Sequence, residues 1–230
     1  MLTAVFKLYY NKAGENELSG GICGSAFFIS EYIALSANHV LQEASFLPGP
    51  NFKNCELFLI SKFGNIIPIS KKQVTVHPEY DLAIIRFKEP QQFDINQLSK
   101  LSFQPSSSGE EIIDQGFVGG TMPQVIAKWK DKHVHIDSAN LFNNVITNRG
   151  TIKSIKRVDV NSSDLKIKNV IAIETSFGGV VGMSGSPLIK KRTGEVIGIM
   201  SFGLPAGQNE KKSLYAISIE QIIPFLEDLK

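Results

Sequence analysis

Apolar and polar residues alternate in short runs along most of the chain, and the period is that of strands. Ala4–Tyr10, Ser25–Ile29 and Tyr32–Leu35 each read as a strand, with Ser30-Glu31 as the turn between the last two. Leu82–Phe87 is almost wholly apolar and is bounded by His77-Pro78 and Pro90. Glu111–Val118 runs into a Gly119-Gly120 break, and Gln124–Trp129 with Val134–Ile136 suggests a hairpin. Thr151–Val158, Val170–Glu174, Pro187–Ile189, Glu195–Ser201 and Leu214–Ile217 follow. Lys191-Arg192-Thr193-Gly194 is a good hairpin turn. The pattern turns helical only at the C-terminus. There Ile219, Ile222, Ile223 and Leu226 form an apolar face, Ser218 and Gln221 have capping-box spacing, and Pro224 sits near the start. Short strands divided by Gly, Asn, Ser and Pro turns predict an all-β chain of barrels or sandwiches. Gln104–Gly109 breaks the composition like a linker. The reading is therefore two β-barrels, 1–103 and 110–230, joined by 104–109, with the final helix packed back on one of them.

Composition narrows the function classes. The chain has 230 residues, 43% hydrophobic and 20% charged, as expected of a globular protein. A formal net charge of +2 gives no bias toward nucleic acid or an anionic membrane. No apolar run is long enough to cross a bilayer, and Met1–Asn16 lacks the pattern of a signal peptide, so a cytoplasmic location is expected. Two cysteines, Cys23 and Cys55, are too few for the disulfide framework of a secreted protein and are expected to be reduced and partly buried.

Three segments carry chemistry. Ala34–Val40 ends a strand in small residues and presents His39, a residue type suited to general-base work. Asp81 stands immediately before the apolar run from Leu82, where a buried carboxylate needs a hydrogen-bond partner such as an imidazole N–H. His77, four residues earlier, reads as a turn residue. In Gly182-Met183-Ser184-Gly185-Ser186-Pro187, glycines flank the serine closely. The amides of Gly182 and Ser184 could face one oxyanion hole. The Gly-x-Ser-x-Gly elbow does not fit, since Ser186 replaces its second glycine and a strand follows. The chain order His, Asp, Ser separates this set from subtilisins and α/β-hydrolases.

On these residues the sequence resembles the chymotrypsin-fold serine proteases, and within them the bacterial HtrA-like branch. Ser36-Ala37-Asn38-His39-Val40 is similar to the family's Ala-x-His segment, Tyr80-Asp81-Leu82-Ala83 to its aspartate motif, and Gly182–Pro187 to its nucleophile motif. Arg149–Ile155 resembles the branch's Gly-Ile-Val-Ser strand. Ile173-Glu174-Thr175 ends nine residues before Ser184, as Ile-Gln-Thr does in that branch. The resemblance implies two six-stranded antiparallel β-barrels of the chymotrypsin type and a triad of His39, Asp81 and Ser184. It also implies a specificity pocket from Gly178 and Gly179 with Ser201, Phe202 and Gly203, and a protein or peptide substrate. No cofactor or metal is implied. Met183 stands where trypsin-like zymogens carry an activating aspartate, and no PDZ module is expected after the terminal helix. No acidic residue lies at the pocket floor, and Met200 replaces the pocket histidine of glutamyl endopeptidases. An apolar P1 residue of small to medium size follows. The segment Thr121–Asn148, with Trp129 and a His133-x-His135 pair, is expected to shape substrate access or meet a partner rather than bind a metal. Two alternatives stay open. One is a pseudoprotease that keeps the fold as a binding module. The other is a protease that stays latent until an activating protein or ligand orders its loops.

Overall fold

The computed structural model describes residues 1–11, 18–42, 52–61, 65–92, 95–119, 127–130, 133–136, 145–161, 166–180, 182–204 and 213–227. They build two antiparallel β structures against each other. The first is a seven-stranded sheet of β1 (Leu2–Asn11), β2 (Leu18–Ser30), β3 (Ile33–Ser36), β4 (Phe52–Ser61), β5 (Ile66–Ile69), β6 (Val74–Val76) and β7 (Ala83–Arg86). Its order is β5-β4-β1-β2-β3-β7-β6. The expected N-terminal barrel of six strands is thus a half-barrel of seven within the described residues. Three strands were unread, and among the described residues β5 and β6 are edges that do not pair with each other.

The second structure is the expected closed barrel. It comprises β8 (Glu111–Phe117), β11 (Val145–Asn161), β12 (Lys166–Thr175), β13 (Pro187–Lys190), β14 (Val196–Leu204) and β15 (Ser213–Ser218), closed in the order β11-β12-β15-β14-β13-β8. The hairpin read near Trp129 is present as β9 (Ala127–Lys130) and β10 (His133–Ile136). The side chains of Trp129, His133 and His135 lie outside the described residues, as does most of 121–148.

The apolar run read around Leu82 reflects burial on both faces. Phe27, Leu35, Leu82 and Ile84 point toward the barrel and pack with Val170, Val196, Phe202 and Ile217. Their alternates Phe28, Ala34 and Ile85 point away, into a core with Val5, Val40, Leu59 and Phe87. A third cluster fills the barrel, with Ile112, Ile152, Leu188 and Met200 among its members. Alternation along a strand sends successive side chains to opposite faces, so three strands serve two cores at once.

The terminal helix is shorter than its apolar face suggested. A 3₁₀ turn, Ile219–Gln221, precedes the α-helix Ile222–Glu227, and the Ser218 hydroxyl makes no cap. Gln221 instead accepts the amide of Ile171 through its side-chain oxygen. Pro224 falls in the first turn, where its missing N–H costs nothing. Cys23 is buried, its thiol directed at the Val5 carbonyl at 3.3 Å; the Cys55 side chain is outside the described residues.

Candidate active site

The end of β3 leads through Ala37 into a single helical turn, α1 (Asn38–Leu41). Val40 and Leu41 are buried and fix that turn, so His39 is held with its side chain 26% exposed. Asp81 faces it at the entrance of β7 with a fully buried side chain. The His39 amide donates to Asp81 Oδ1 at 2.8 Å, and the ring Nδ1 stands 2.7 Å from Oδ2. A third donor, the Ser201 hydroxyl, also meets Oδ2. A buried carboxylate is thereby satisfied on both oxygens. With Nδ1–H donating, the His39 lone pair lies on Nε2, the nitrogen available as a base.

The aspartate loop is pinned by His77. Its Nδ1 accepts the amides of Glu79 and Tyr80, each at 3.1 Å. Its ring stacks on Tyr80 at 4.3 Å and meets Phe225 of the terminal helix edge-on at 4.7 Å. Burial lowers the pKa of His77, against an opposing pull from Glu79. A neutral ring is what the two accepted hydrogen bonds require, so His77 is a turn residue with a structural task.

Ser184 lies in a turn bracketed by Gly182 (φ 96°) and Gly185 (φ 84°). A Cβ at Gly182 would stand 2.1 Å from the Gly119 nitrogen, and one at Gly185 2.1 Å from the Ser25 carbonyl. Conformation and space both demand glycine at these two positions. The Ser184 carbonyl accepts the Ser25 amide at 2.8 Å, which ties the turn to β2, and its hydroxyl is 3.5 Å from the Ser201 carbonyl. Among the described residues, neither Gly182 nor Ser184 donates its amide to a backbone acceptor. Met183 is buried beneath the turn.

Of the residues read as the pocket, Ser201 is committed to Asp81 and Phe202 stacks on Tyr215 at 5.4 Å. Gly178, Gly179 and Gly203 are exposed. Leu214, which the sequence did not single out, lies against two of them. A Cβ at Gly179 would meet its side chain at 2.5 Å, and one at Gly203 at 3.8 Å. Met200 packs inside the barrel, so it contributes bulk to the core rather than a pocket wall. Among the described residues, no cluster of metal-ligating side chains occurs.

An antiparallel sheet packed on a six-stranded barrel, with a histidine–aspartate pair on one and a glycine-flanked serine turn on the other, defines the chymotrypsin class. The trypsin-like peptidase domain model matches residues 24–199, and the chain belongs to that family. Solved structures share the fold at low sequence identity. The HtrA-type protease AlgW with decapeptide superposes with a TM-score of 0.66 at 14% identity, covering 98% of this chain and 63% of that one. The same protease with tripeptide gives a TM-score of 0.60 at 18% identity, covering 98% and 60%. The M. tuberculosis protease Rv3671c in its active form gives 0.56 at 15% identity, covering 97% and 79%. The chain thus spans 60–63% of the length of those HtrA-type structures. Comparison with curated protein sequences gives no significant match.

Proposed function

We propose that the chain is a serine endopeptidase acting through an acyl-enzyme, with His39, Asp81 and Ser184 as its triad. The observation that carries this reading is the doubly hydrogen-bonded His39–Asp81 pair, 2.7 Å between ring nitrogen and carboxylate. Ser184 Oγ attacks the peptide carbonyl while His39 Nε2 takes its proton. The negative oxygen that forms is received by the amides of Gly182 and Ser184. As the C–N bond breaks, His39 gives the proton to the leaving amine, and water then repeats the sequence on the ester. Asp81 fixes the tautomer of His39 and stabilises its charged form; the Ser201 hydroxyl steadies Asp81 in turn. The AlgW structures named with bound peptides support a peptide substrate. Leu214 beside Gly179 and Gly203 supports an apolar P1 residue of modest size.

The test is covalent labelling with a fluorophosphonate probe, read by intact mass. The folded wild type is expected to gain one adduct, and Ser184→Ala none. A folded wild type that stays unmodified would overturn this reading in favour of an inactive binding module or a latent enzyme.

A further inference from the structure

Asp114 lies midway along β8 with no exposed surface, on the inward face it shares with Ile112 and Gly116. A carboxyl there loses its hydration, which destabilises the fold unless hydrogen bonds replace it. Two side chains reach it. Ser186 Oγ donates to Oδ1 at 2.5 Å, and Asn148, directly across on β11, directs Nδ2 at Oδ2 over 3.4 Å. Among the described residues no cation pairs with it. Lys190, on the adjoining strand β13, turns its amine to Glu110 at 3.4 Å and to the Pro105 carbonyl at 3.0 Å. Burial pushes the Asp114 carboxyl up to about 6, against the opposing effect of its two hydrogen bonds.

Both partners belong to the surroundings of the nucleophile. Ser186 follows Ser184 by two residues. Asn148 Nδ2 also stands 3.2 Å from the sulfur of Met183, the residue immediately before Ser184. Asp114 therefore grips the turn on both sides of the serine. Gly116 makes room for the grip, since a Cβ there would stand 2.9 Å from that of Ser186. The turn has left-handed backbone at Gly182 and Gly185 and no regular ladder of its own, so side-chain anchors matter to its angle.

We propose that Asp114 is a positioning residue for the oxyanion amides. Through Ser186 on one side, and Asn148 with Met183 on the other, it sets the direction in which Gly182 and Ser184 present their N–H groups. The inference rests on the serine-protease reading above. Asp114 touches neither the substrate nor the reacting atoms. Nothing in the strand pairing of β8 requires a carboxyl there, and a buried one without a cation weakens the fold. A group that weakens the fold while holding the nucleophile turn fits a site that trades stability for geometry.

The experiment compares Asp114→Asn, Asp114→Ala, Ser186→Ala and the Asp114→Ala/Ser186→Ala double variant. Each is checked for folding by near-ultraviolet circular dichroism and titrated with fluorophosphonate. The limiting rate of labelling and the half-saturating concentration are read separately. Asp114→Ala and Ser186→Ala should each lower the limiting rate about tenfold to a hundredfold, with half-saturation changed by less than about twofold. The double variant should be no slower than Asp114→Ala alone, because both act on one turn. Asp114→Asn, which keeps an acceptor for Ser186, should retain more rate than Asp114→Ala. If Asp114→Ala fails to fold, Ser186→Ala and Asp114→Asn carry the comparison. A wild type that labels while the folded variants label equally fast overturns the positioning role alone. A wild type that never labels overturns the protease reading with it.

Discussion

Asp81 and Asp114 are both buried carboxyls, and their surroundings treat them differently. Asp81 receives the amide and ring of His39 and the hydroxyl of Ser201. Asp114 receives one short hydrogen bond and one long one. Its carboxyl is raised from 3.8 to about 6, chiefly by burial. The sign for stability follows directly. Between those two values the unfolded chain has released the proton and the folded chain has kept it, so the fold gains stability as pH falls. Relative to Asp114→Asn, the wild type should gain roughly 2 kcal/mol between pH 7 and pH 4, read from urea midpoints. His77 works in the opposite sense, because its lowered pKa makes acid weaken the fold below its ordinary range, but it is present in both proteins and cancels in the difference. An unchanged difference across that range would mean that Asp114 titrates normally. His39, Asp81 and Ser184 stood out in the sequence as candidates because each sits in a short motif of its own. Asp114 was not. It stands beside Gln115 in a strand, where a polar residue reads as facing solvent, and only the distant Ser186 and Asn148 reveal otherwise.

Strands with an apolar face on each side were the easiest to read, and edges the hardest. β5 holds Pro68, which a central strand would not tolerate but an edge strand does. β6 has only three residues and a single partner, β7. The first half of β4 carries Lys53, Asn54 and Glu56, which blurs its alternation. The terminal helix shows the converse error. Its apolar spacing was correct, but that face is spent partly in a 3₁₀ turn. β15 adds a feature the motifs could not show, since Leu214 gains meaning only when Gly179 and Gly203 are brought beside it. Leu214→Ala should therefore widen the proposed pocket. On a series of peptide p-nitroanilides, kcat/KM for a P1 Phe should rise about tenfold relative to P1 Ala, the order expected for a few added methylenes of space. Equal selectivity in the variant would remove Leu214 from the specificity determinants.

The sheet and the barrel share one core, and the groups of the proposed reaction come from both. His39 and Asp81 are fixed by β3, α1 and β7, whereas Ser184 enters from the loop before β13. The Ser25 amide bonded to the Ser184 carbonyl, and the Ser25 hydroxyl that accepts the Phe117 amide at 2.9 Å, link the two directly. Phe27 has no exposed surface and lies in the shared cluster. Phe27→Ala should lower stability by about 3–5 kcal/mol. Denaturation should still show one transition, coincident by near- and far-ultraviolet circular dichroism. Two separated transitions would show that the sheet and barrel fold independently.

The shared core also imposes an order in time. On the ribosome, β2, β3 and β7 emerge with Phe27, Leu35, Leu82 and Ile84 exposed on a bare apolar face. Val170, Phe202, Ile217 and Ile222, which cover it, follow Ile84 by 86 (170 − 84) to 138 (222 − 84) residues. At ordinary elongation rates that interval is on the order of ten seconds. During it the nascent chain offers a surface that invites a chaperone or a neighbouring chain. The proposed nucleophile is made late in the same interval, so the unfinished chain is both sticky and harmless.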